Sequence, residues 1–230
     1  MITLIHYPLS VTSRFIRLAL AESEITPVLQ EEAYWERRPD FLLANPAGTL
    51  PVLFEDDSPP VCGVWAVSEY LDETRGFALG DRRLLPSSAS QRAEVRRLTE
   101  WFALRFDEEV TGYFVEEKVI KRERARKGGN GSPDSSALRA ARSNIRTHLA
   151  YIEHLIGERN WLAGDRMSYA DLAAAAALSV ADYLGEVPWT DAEEAKNWYM
   201  RMKSRPGFRP LLADVVRGQK PPEHYPALDF

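Results

Sequence analysis

The chain has 230 residues, enough for one large or two small domains, and a chain of this length buries most of its apolar surface without disulfide bridges. Hydrophobic residues make up 45% and charged residues 27%, which excludes a wholly disordered or collagen-like chain. A net charge of −5 disfavours nucleic-acid binding, and a single cysteine, Cys62, excludes an internal disulfide or a multi-thiolate metal site.

Residues 1–78 predict a mixed α/β domain. Ile2–Tyr7 is apolar on both faces, as in a central strand that helices cover on each side. The elements predicted after it are a helix over 10–22, a strand over 27–29, a helix over 39–44, a strand over 50–54 and a helix over 65–74. The order β-α-β-α-β-(β)-α follows.

Residues 91–216 predict an all-helical domain, which a linker over 79–90 joins to the first. A long helix begins at 91, because its apolar residues fall three or four apart, and an exposed loop is expected over 127–133. Further helices are expected around 145–156, after a capping box at 168–171, over 198–203 and over 208–216. Residues 217–230 form a proline-rich tail that we expect to be extended.

No segment is typical of export or of a membrane span. The N-terminus lacks a basic region, and the longest apolar stretch, 172–181, is shorter than the roughly 20 residues that a span needs. The four histidines have no metal-ligand spacing. We therefore expect a cytoplasmic protein with no metal site and no membrane insertion.

Three sequence blocks carry a family resemblance. They are Asn45-Pro46-Ala47-Gly48-Thr49-Leu50-Pro51-Val52-Leu53, then Trp161–Asp165 with Ser168–Asp171, and Arg205-Pro206-Gly207-Phe208. Together they resemble the cytosolic glutathione transferase family, over nearly the whole chain up to about residue 215. The resemblance implies a thioredoxin-like α/β domain, a cis proline at 51, an all-α domain and a symmetric homodimer.

The resemblance also implies where catalysis would occur. In that family a hydroxyl or thiol at the start of the first helix stabilises the glutathione thiolate, and a helix N-terminus favours such an anion. Ser10 matches that position and Ser13 is the second candidate. The alternative is that these hydroxyls only cap the helix, whereas Tyr7 is expected to pack at a strand end.

The glutathione site implied by the resemblance is incomplete. Leu50 and Pro51 are retained; in the family, the cis proline turns the backbone of the residue at Leu50 outward, where it pairs with the cysteinyl part of glutathione. Gly63 and Val64 stand where the family has an acidic residue or Gln followed by Ser. Two lost hydrogen bonds to charged groups, each about 1.5–3 kcal/mol, weaken binding by about two to four powers of ten. We expect a degenerate site with no catalytic residue and no cofactor.

Two further features are not explained by the fold. Trp35 lies in a charged segment and is either an interface anchor or packed on its own domain. The tail ends in an aromatic residue and is expected to dock on its own body or on a partner. A basic run over 118–127 is either a solvated helix end or a surface for an acidic filament.

The ending Tyr-x-x-Leu-Asp-Phe, together with the missing acidic–Ser pair, resembles a branch of this family, the FtsZ-binding division proteins of alphaproteobacteria. It implies a non-catalytic homodimer that binds FtsZ polymers at the division site and promotes their curvature and constriction. The partner-binding candidates are Trp35, Tyr225, Pro226, Leu228, Asp229 and Phe230. The alternative is a glutathione S-transferase that conjugates or reduces small electrophiles, with Ser10 or Ser13 at its active site.

Overall fold

The structure, a computed structural model, describes residues 1–129 and 131–230. The first domain contains β1 (Ile2–His6), α1 (Val11–Glu22), β2 (Val28–Glu31), α2 (Pro39–Ala44), β3 (Val52–Glu55), β4 (Val61–Cys62) and α3 (Val64–Arg75). This is the predicted element order, including the fourth strand. The α/β class predicted for this domain is therefore confirmed.

Across the described residues these strands form one sheet in the order β2-β1-β3-β4. β1 pairs parallel with β2 and antiparallel with β3, and β3 pairs antiparallel with β4. Leu4 and Ile5 of β1 are buried, as expected for a central strand with apolar residues on both faces. The antiparallel pairing places the end of β1 beside the start of β3, close to where α1 and α3 begin.

The second domain is helical. It contains α4 (Ala89–Glu100), α5 (Gly112–Val115), α6 (Lys121–Arg126), α7 (Ser135–Glu158), α8 (Tyr169–Tyr183), α9 (Glu193–Lys203) and α10 (Arg209–Leu212). The long helix predicted from residue 91 is the rod formed by α4, α5 and α6. π-helical turns at Trp101–Arg105, Asp107–Thr111 and Glu116–Ile120 interrupt it. Such turns are frequent at functional sites.

α8 is the buried axis of the second domain. Every residue of Tyr169–Tyr183 is buried, and the helix packs against α1 of the first domain. The predicted capping box is present, since the Ala170 N–H donates to Ser168 Oγ and the Ser168 N–H donates to Asp171 Oδ2. Burial raises the pKa of Asp171 to about 6 despite these hydrogen bonds.

Arg14 of α1 joins the two domains and the tail. Its guanidinium is fully buried and donates to Ser179 Oγ of α8 at 2.9 Å and to Tyr225 Oη at 2.8 Å. Arg17, one turn further along α1, makes a two-pronged ion pair with Asp214. A buried cation needs such partners, so these bonds fix how the first domain, α8 and the tail fit together.

Two predictions about the end of the chain were wrong. The helix predicted over 208–216 ends at Leu212, because Asp214 leaves the helix to pair with Arg17, and a turn closed by a Val216–Gln219 bridge follows. The tail is not extended but forms turns, with hydrogen bonds from the Tyr225 N–H to Pro222 and from the Ala227 N–H to His224.

The boundaries between the domains also differ in detail from the sequence expectation. The expected linker over 79–90 overlaps a 3-10 segment at Gly76–Arg82, and α4 begins at Ala89. The expected loop over 127–133 includes Asn130, which lies outside the described residues. Among the described residues, no helix is both long enough and apolar enough to cross a membrane.

Candidate functional site

A cleft of about 410 Å³ lies between the two domains, where α1 and α3 begin. The rod of the second domain forms its opposite wall through the π-helical turn Asp107–Thr111 and α5. Its lining includes Ser10, Thr12, Leu50, Gly63, Val64 and Asp107. The fold thus brings most of the predicted cleft residues together. A depression of about 640 Å³ beside the interdomain linker is lined by other residues.

Ser10 caps α1. Its side-chain oxygen accepts a hydrogen bond from the Ser13 N–H at 3.2 Å and lies 3.0 Å from the Thr12 hydroxyl. Serine is a favoured residue at this position because its oxygen satisfies a free N–H of the first turn. The capping role that we weighed against catalysis is therefore present, and the Ser10 oxygen is engaged by its own helix.

Ser13 is placed away from the cleft. Its side chain is fully buried on the inner face of α1, where its Oγ accepts a hydrogen bond from the Tyr7 N–H. A ligand thiol in the cleft cannot reach it, so the suggestion of Ser13 as a second catalytic candidate is withdrawn. Tyr7 is also buried, and burial raises the pKa of its phenol well above the ordinary value, which suits the packing role expected of it.

The Leu50–Pro51 peptide bond is cis, as the family resemblance implied. The Leu50 carbonyl faces the start of α1, where it accepts a hydrogen bond from the Thr12 hydroxyl at 2.9 Å. The Pro51 carbonyl accepts the Gly63 N–H at 3.0 Å and so links this turn to the start of α3. The backbone geometry is retained, but one polar group of Leu50 bonds within the protein.

The start of α3 offers only backbone groups to a ligand. Gly63 precedes the helix with a φ of +88°, and Val64 is its first, buried residue. Among the described residues, no side chain caps this helix, so its first N–H groups remain able to hold an anion weakly. Neither position supplies a carboxylate for a ligand amine or a hydroxyl for a ligand carboxylate.

Asp107 gives the cleft a negative group. Among the described lining residues it is the one charged side chain, and it accepts a hydrogen bond from the Thr111 hydroxyl of its own helix. Burial raises the pKa of Asp107 to about 6. This carboxylate would repel a ligand carboxylate placed beside it and attract a ligand ammonium group.

Trp35 packs on its own domain. Its ring meets Tyr7 edge-on at 4.9 Å and Tyr34 at 5.3 Å between centroids, and its side chain is half-buried. The structure therefore shows the self-packed arrangement that was one of the two alternatives. Because the Trp35 side chain is partly exposed, a contact between Trp35 and a partner stays a prediction.

The tail is docked on the second domain, and Tyr225 is its central anchor. The ring is fully buried and meets Tyr183 edge-on at 5.1 Å. Its hydroxyl accepts from Arg14 and donates to the Leu211 carbonyl at 3.1 Å. Tyr225 therefore cannot contact a partner while the tail is docked, and we correct its assignment as a partner-binding residue to that of an anchor.

His224 and Phe230 hold the tail on either side of Tyr225. His224 Nε2 lies 2.8 Å from Oδ1 of Asp182, a fully buried carboxylate. The Phe230 ring stacks on His224 at 4.9 Å and meets Trp189 edge-on at 5.5 Å. Phe230 is thus half-buried against the body, whereas Pro226, Leu228 and Asp229 are exposed. The predicted partner-binding residues of the tail divide into inward anchors and outward side chains.

The basic run over 118–127 is largely neutralised within the protein. Lys118 pairs with Glu186, Lys121 with Glu117, Arg124 with Glu116, Arg126 with Glu123, and Lys127 with Glu36. These pairs favour the solvated helix end over a surface for an acidic filament. Within the described residues, no group of three or more histidines, cysteines and carboxylates is arranged to hold a metal ion.

Comparison with known families agrees with this geometry. Residues 9–74 match the glutathione S-transferase N-terminal domain, and residues 110–206 match the glutathione S-transferase C-terminal domain. The chain belongs to the glutathione S-transferase family. The thioredoxin-like first domain and the all-helical second domain predicted from the sequence are those of this family.

Among curated relatives, FtsZ-localized protein A of Caulobacter vibrioides is 47% identical over 231 residues, which cover 99% of this chain and 98% of the relative. Glutathione S-transferase 2 of Saccharomyces cerevisiae is 26% identical and covers 86% of this chain and 83% of its own. The tail and the missing acidic–Ser pair suggested a resemblance to the FtsZ-binding branch of the family. A relative that matches almost the full length of the chain agrees with that resemblance.

Solved structures also include close neighbours of this chain. A structure described as a glutathione S-transferase from Sinorhizobium meliloti is 56% identical, has a TM-score of 0.97 and covers all of both chains. The structure of FzlA from C. crescentus is 47% identical, has a TM-score of 0.91 and covers 100% of this chain and 99% of its own. Both similarities extend to the tail.

Sequence reasoning missed the buried charged residues of this glutathione S-transferase homologue. Arg14, Asp182 and Lys203 are all fully buried and all contact the tail. Their residue types gave no sign of this, since charged residues are usually exposed. The available signal was the tail itself, whose aromatic and histidine side chains need partners when a chain end folds back.

Proposed function

We propose that this chain is an FtsZ-binding cell-division protein of the FzlA type, which binds FtsZ polymers as a homodimer and promotes their curvature without catalysing a reaction. The full-length identity of 47% to FtsZ-localized protein A carries the proposal. That relative is matched from end to end, including the tail, whereas the yeast transferase is matched over 86% of this chain.

The cleft supports a binding role over a catalytic one. Ser10 is engaged as a helix cap, and the Thr12 hydroxyl donates to the Leu50 carbonyl. Asp107 is the one charged side chain among the described lining residues of the cleft. Catalysis requires groups that are free to stabilise a charge in the transition state. The polar groups at the start of α1 are instead used by the fold.

A symmetric dimer would account for an effect on filaments. A twofold axis presents two copies of one surface on a rigid body. Two copies bind a polymer with avidity, so a weak single contact suffices, and a fixed angle between them imposes curvature on the filament. The proposed location is the cytoplasm at the division site, where the polymer forms.

Co-sedimentation with FtsZ polymers tests the proposal. We expect the full chain to pellet with polymers and a chain truncated after Tyr225 to remain in the supernatant. The truncation must spare Tyr225, because its hydroxyl satisfies the buried Arg14 and its loss would unfold the joint between the domains. Circular dichroism checks that the truncated chain is folded.

A matched control for the truncation is Leu43→Ala, which changes an exposed apolar residue of α2 far along the chain from the tail. The control should pellet like the unchanged protein. Failure of the unchanged protein to pellet with polymers at any protein concentration would refute the proposed function, and equal pelleting after truncation would refute the role of the tail.

A glutathione S-transferase remains a second candidate, because the cis Leu50–Pro51 bond and a cleft of about 410 Å³ are retained. The 56% identity to a structure described as a glutathione S-transferase supports it as well. Firm retention on immobilised glutathione, with elution by free glutathione, would favour this candidate. We expect the protein to flow through.

A further inference from the structure

The ammonium group of Lys203 is buried beneath the C-terminal tail. Its side chain is 0% exposed, and among the described residues its Nζ has no hydrogen-bond partner. The nearest carboxylate oxygen is Asp182 Oδ2, at 3.9 Å. An ammonium that has lost its water is destabilising unless another attraction replaces the lost hydration.

Aromatic rings supply that attraction, and the tail contributes two of them. The Lys203 Nζ lies 4.3 Å from the Phe230 ring centroid, 5.7 Å from that of Tyr225 and 5.6 Å from that of Tyr199. Aromatic faces attract a cation more strongly when water is excluded. Docking of the tail therefore excludes water from Lys203 and also brings two of the rings that attract its charge.

Asp182 is the second buried charged residue beneath the tail. Its Oδ1 accepts from the Trp189 Nε1–H at 2.9 Å and lies 2.8 Å from His224 Nε2, while the Tyr199 hydroxyl donates to Oδ2. Two buried charges of opposite sign thus face the tail from α8 and α9, and each contacts an inward side chain of the tail. The orientation of the last residues is fixed by these contacts.

Close to its end, the docked tail turns Leu228 and Asp229 to the outside, in addition to Pro226. Leu228 is 39% exposed and Asp229 is exposed, while the residues on either side of this pair face inward or are half-buried. Release of the tail would leave Arg14 without the Tyr225 hydroxyl and Asp182 without His224. A partner that binds the tail as it lies avoids that loss and also the ordering of a free peptide.

We propose that the tail engages its partner while docked, with Lys203 and Asp182 as positioning residues that hold Leu228 and Asp229 outward. The inference rests on the proposed function, since the partner is then the FtsZ polymer. An apolar residue beside a carboxylate fits a polymer surface that offers a basic group next to an apolar patch.

Substitutions of buried residues beneath the tail distinguish binding of the docked tail from binding of a released tail. Lys203→Ala and the double variant Lys203→Ala with Trp189→Leu change buried residues that a partner cannot touch while the tail is docked. Hydrogen exchange of the amides over 224–230 measures tail opening, and co-sedimentation with FtsZ polymers measures affinity. Lys220→Ala, at an exposed lysine in the first residues of the tail and outside the segment 224–230, is the matched control.

We expect Lys203→Ala to speed exchange of the tail by about tenfold, because it removes the cation that the rings enclose. Affinity for polymers should not improve in this variant, and it should fall at least about fivefold in the double variant, where most of the tail is released. Leu228→Ala with Asp229→Asn should leave exchange slow and still weaken polymer binding.

Affinity that rises in step with tail opening would overturn the proposal, because a released tail would then be the bound form. Unchanged exchange in both buried variants, or full affinity with a released tail, would overturn it as well. Failure of the unchanged protein to bind polymers is a separate result that refutes the proposed function, and the exchange data then still report how the tail is held.

Discussion

The interdomain cleft and the C-terminal tail both use their polar groups within the protein, but the cleft does so inside the first domain and the tail does so with buried charged groups of both domains. The cleft retains the family's backbone, including the cis Leu50–Pro51 bond, but Ser10 and Thr12 hydrogen-bond within the protein. The tail lies after the matched domains, yet it takes up the hydrogen-bonding capacity of buried charged groups in α1 and α8. The cleft keeps the backbone shape of the family, whereas the tail adds contacts from residues that follow the matched domains. Because one fold supports many activities, the retained shape of the cleft does not by itself indicate transferase activity.

The largest effect in this comparison should come from the anchor of the tail. We expect Tyr225→Ala to lower the free energy of unfolding by about 3–5 kcal/mol, as for other large buried aromatic residues, because it leaves a cavity and leaves Arg14 short of a partner. Urea unfolding followed by circular dichroism measures the change.

Tyr113→Ala is the matched control for that measurement, since Tyr113 is 42% exposed on the rod of the second domain. It should alter the free energy of unfolding by less than about 1 kcal/mol. If both tyrosine variants proved equally stable, the tail would be a loosely attached peptide, and the contrast with the cleft would disappear.

The charge of the cleft gives the second effect. Burial raises the pKa of Asp107 to about 6 in the folded protein, above the ordinary value of 3.8 in the unfolded chain. The folded state then holds its proton longer, so this residue lowers stability as the pH rises from about 4 to 6. Asp107→Asn removes that loss and keeps an acceptor for the Thr111 hydroxyl.

We therefore expect Asp107→Asn to stabilise the protein by about 2 kcal/mol at pH 7.5 and to have little effect at pH 4. Urea unfolding at a series of pH values measures the difference between the two proteins, which cancels the contribution of the buried Asp171 to both. A difference that stays constant from pH 4 to 7.5 would show that the Asp107 carboxylate is well solvated.

Glutathione binding tests the cleft from the other direction. Val64→Ser returns a hydroxyl to the start of α3, beside N–H groups that already suit an anion. We expect an affinity gain of about tenfold, which corresponds to one hydrogen bond to a charged group. Isothermal titration with glutathione measures it, and Val61→Ser on β4 is the control. Tight binding by the unchanged protein would contradict a degenerate site.

Much of the fold was predictable because local signals and tertiary packing agree. The apolar spacing of Val95, Leu98 and Phe102 predicted a helix with one buried face, and all three are buried. Ser168 and Asp171 form the capping box that their spacing indicated. The cleft residues were predictable only through the family resemblance, since a glycine and a valine before a helix carry no chemical signal of their own.

The burial of Lys203 and Asp182 beneath the tail could not be predicted from the sequence, for a physical reason. Charged residues are expected to face water, and the contacts that make the burial of Lys203 and Asp182 favourable include Phe230 and His224 of the folded tail. The π-helical turns of the rod were missed as well, because apolar residues three and four apart are compatible with α-helix and π-helix alike. Asp107 enters the cleft on one of these turns.

The smallest effect should come from Ser10. As the cap of α1 its oxygen satisfies the Ser13 N–H, so Ser10→Ala should lower the free energy of unfolding by about 1 kcal/mol. Ser10→Asn, which offers another good capping oxygen, should restore most of that loss. Neither variant should alter polymer binding, since the residue lies in the cleft and not on the tail. Thermal unfolding and co-sedimentation measure the two properties. A variant of normal stability that lost glutathione-dependent conversion of an aryl halide would make Ser10 a catalytic residue and return the cleft to the centre of function.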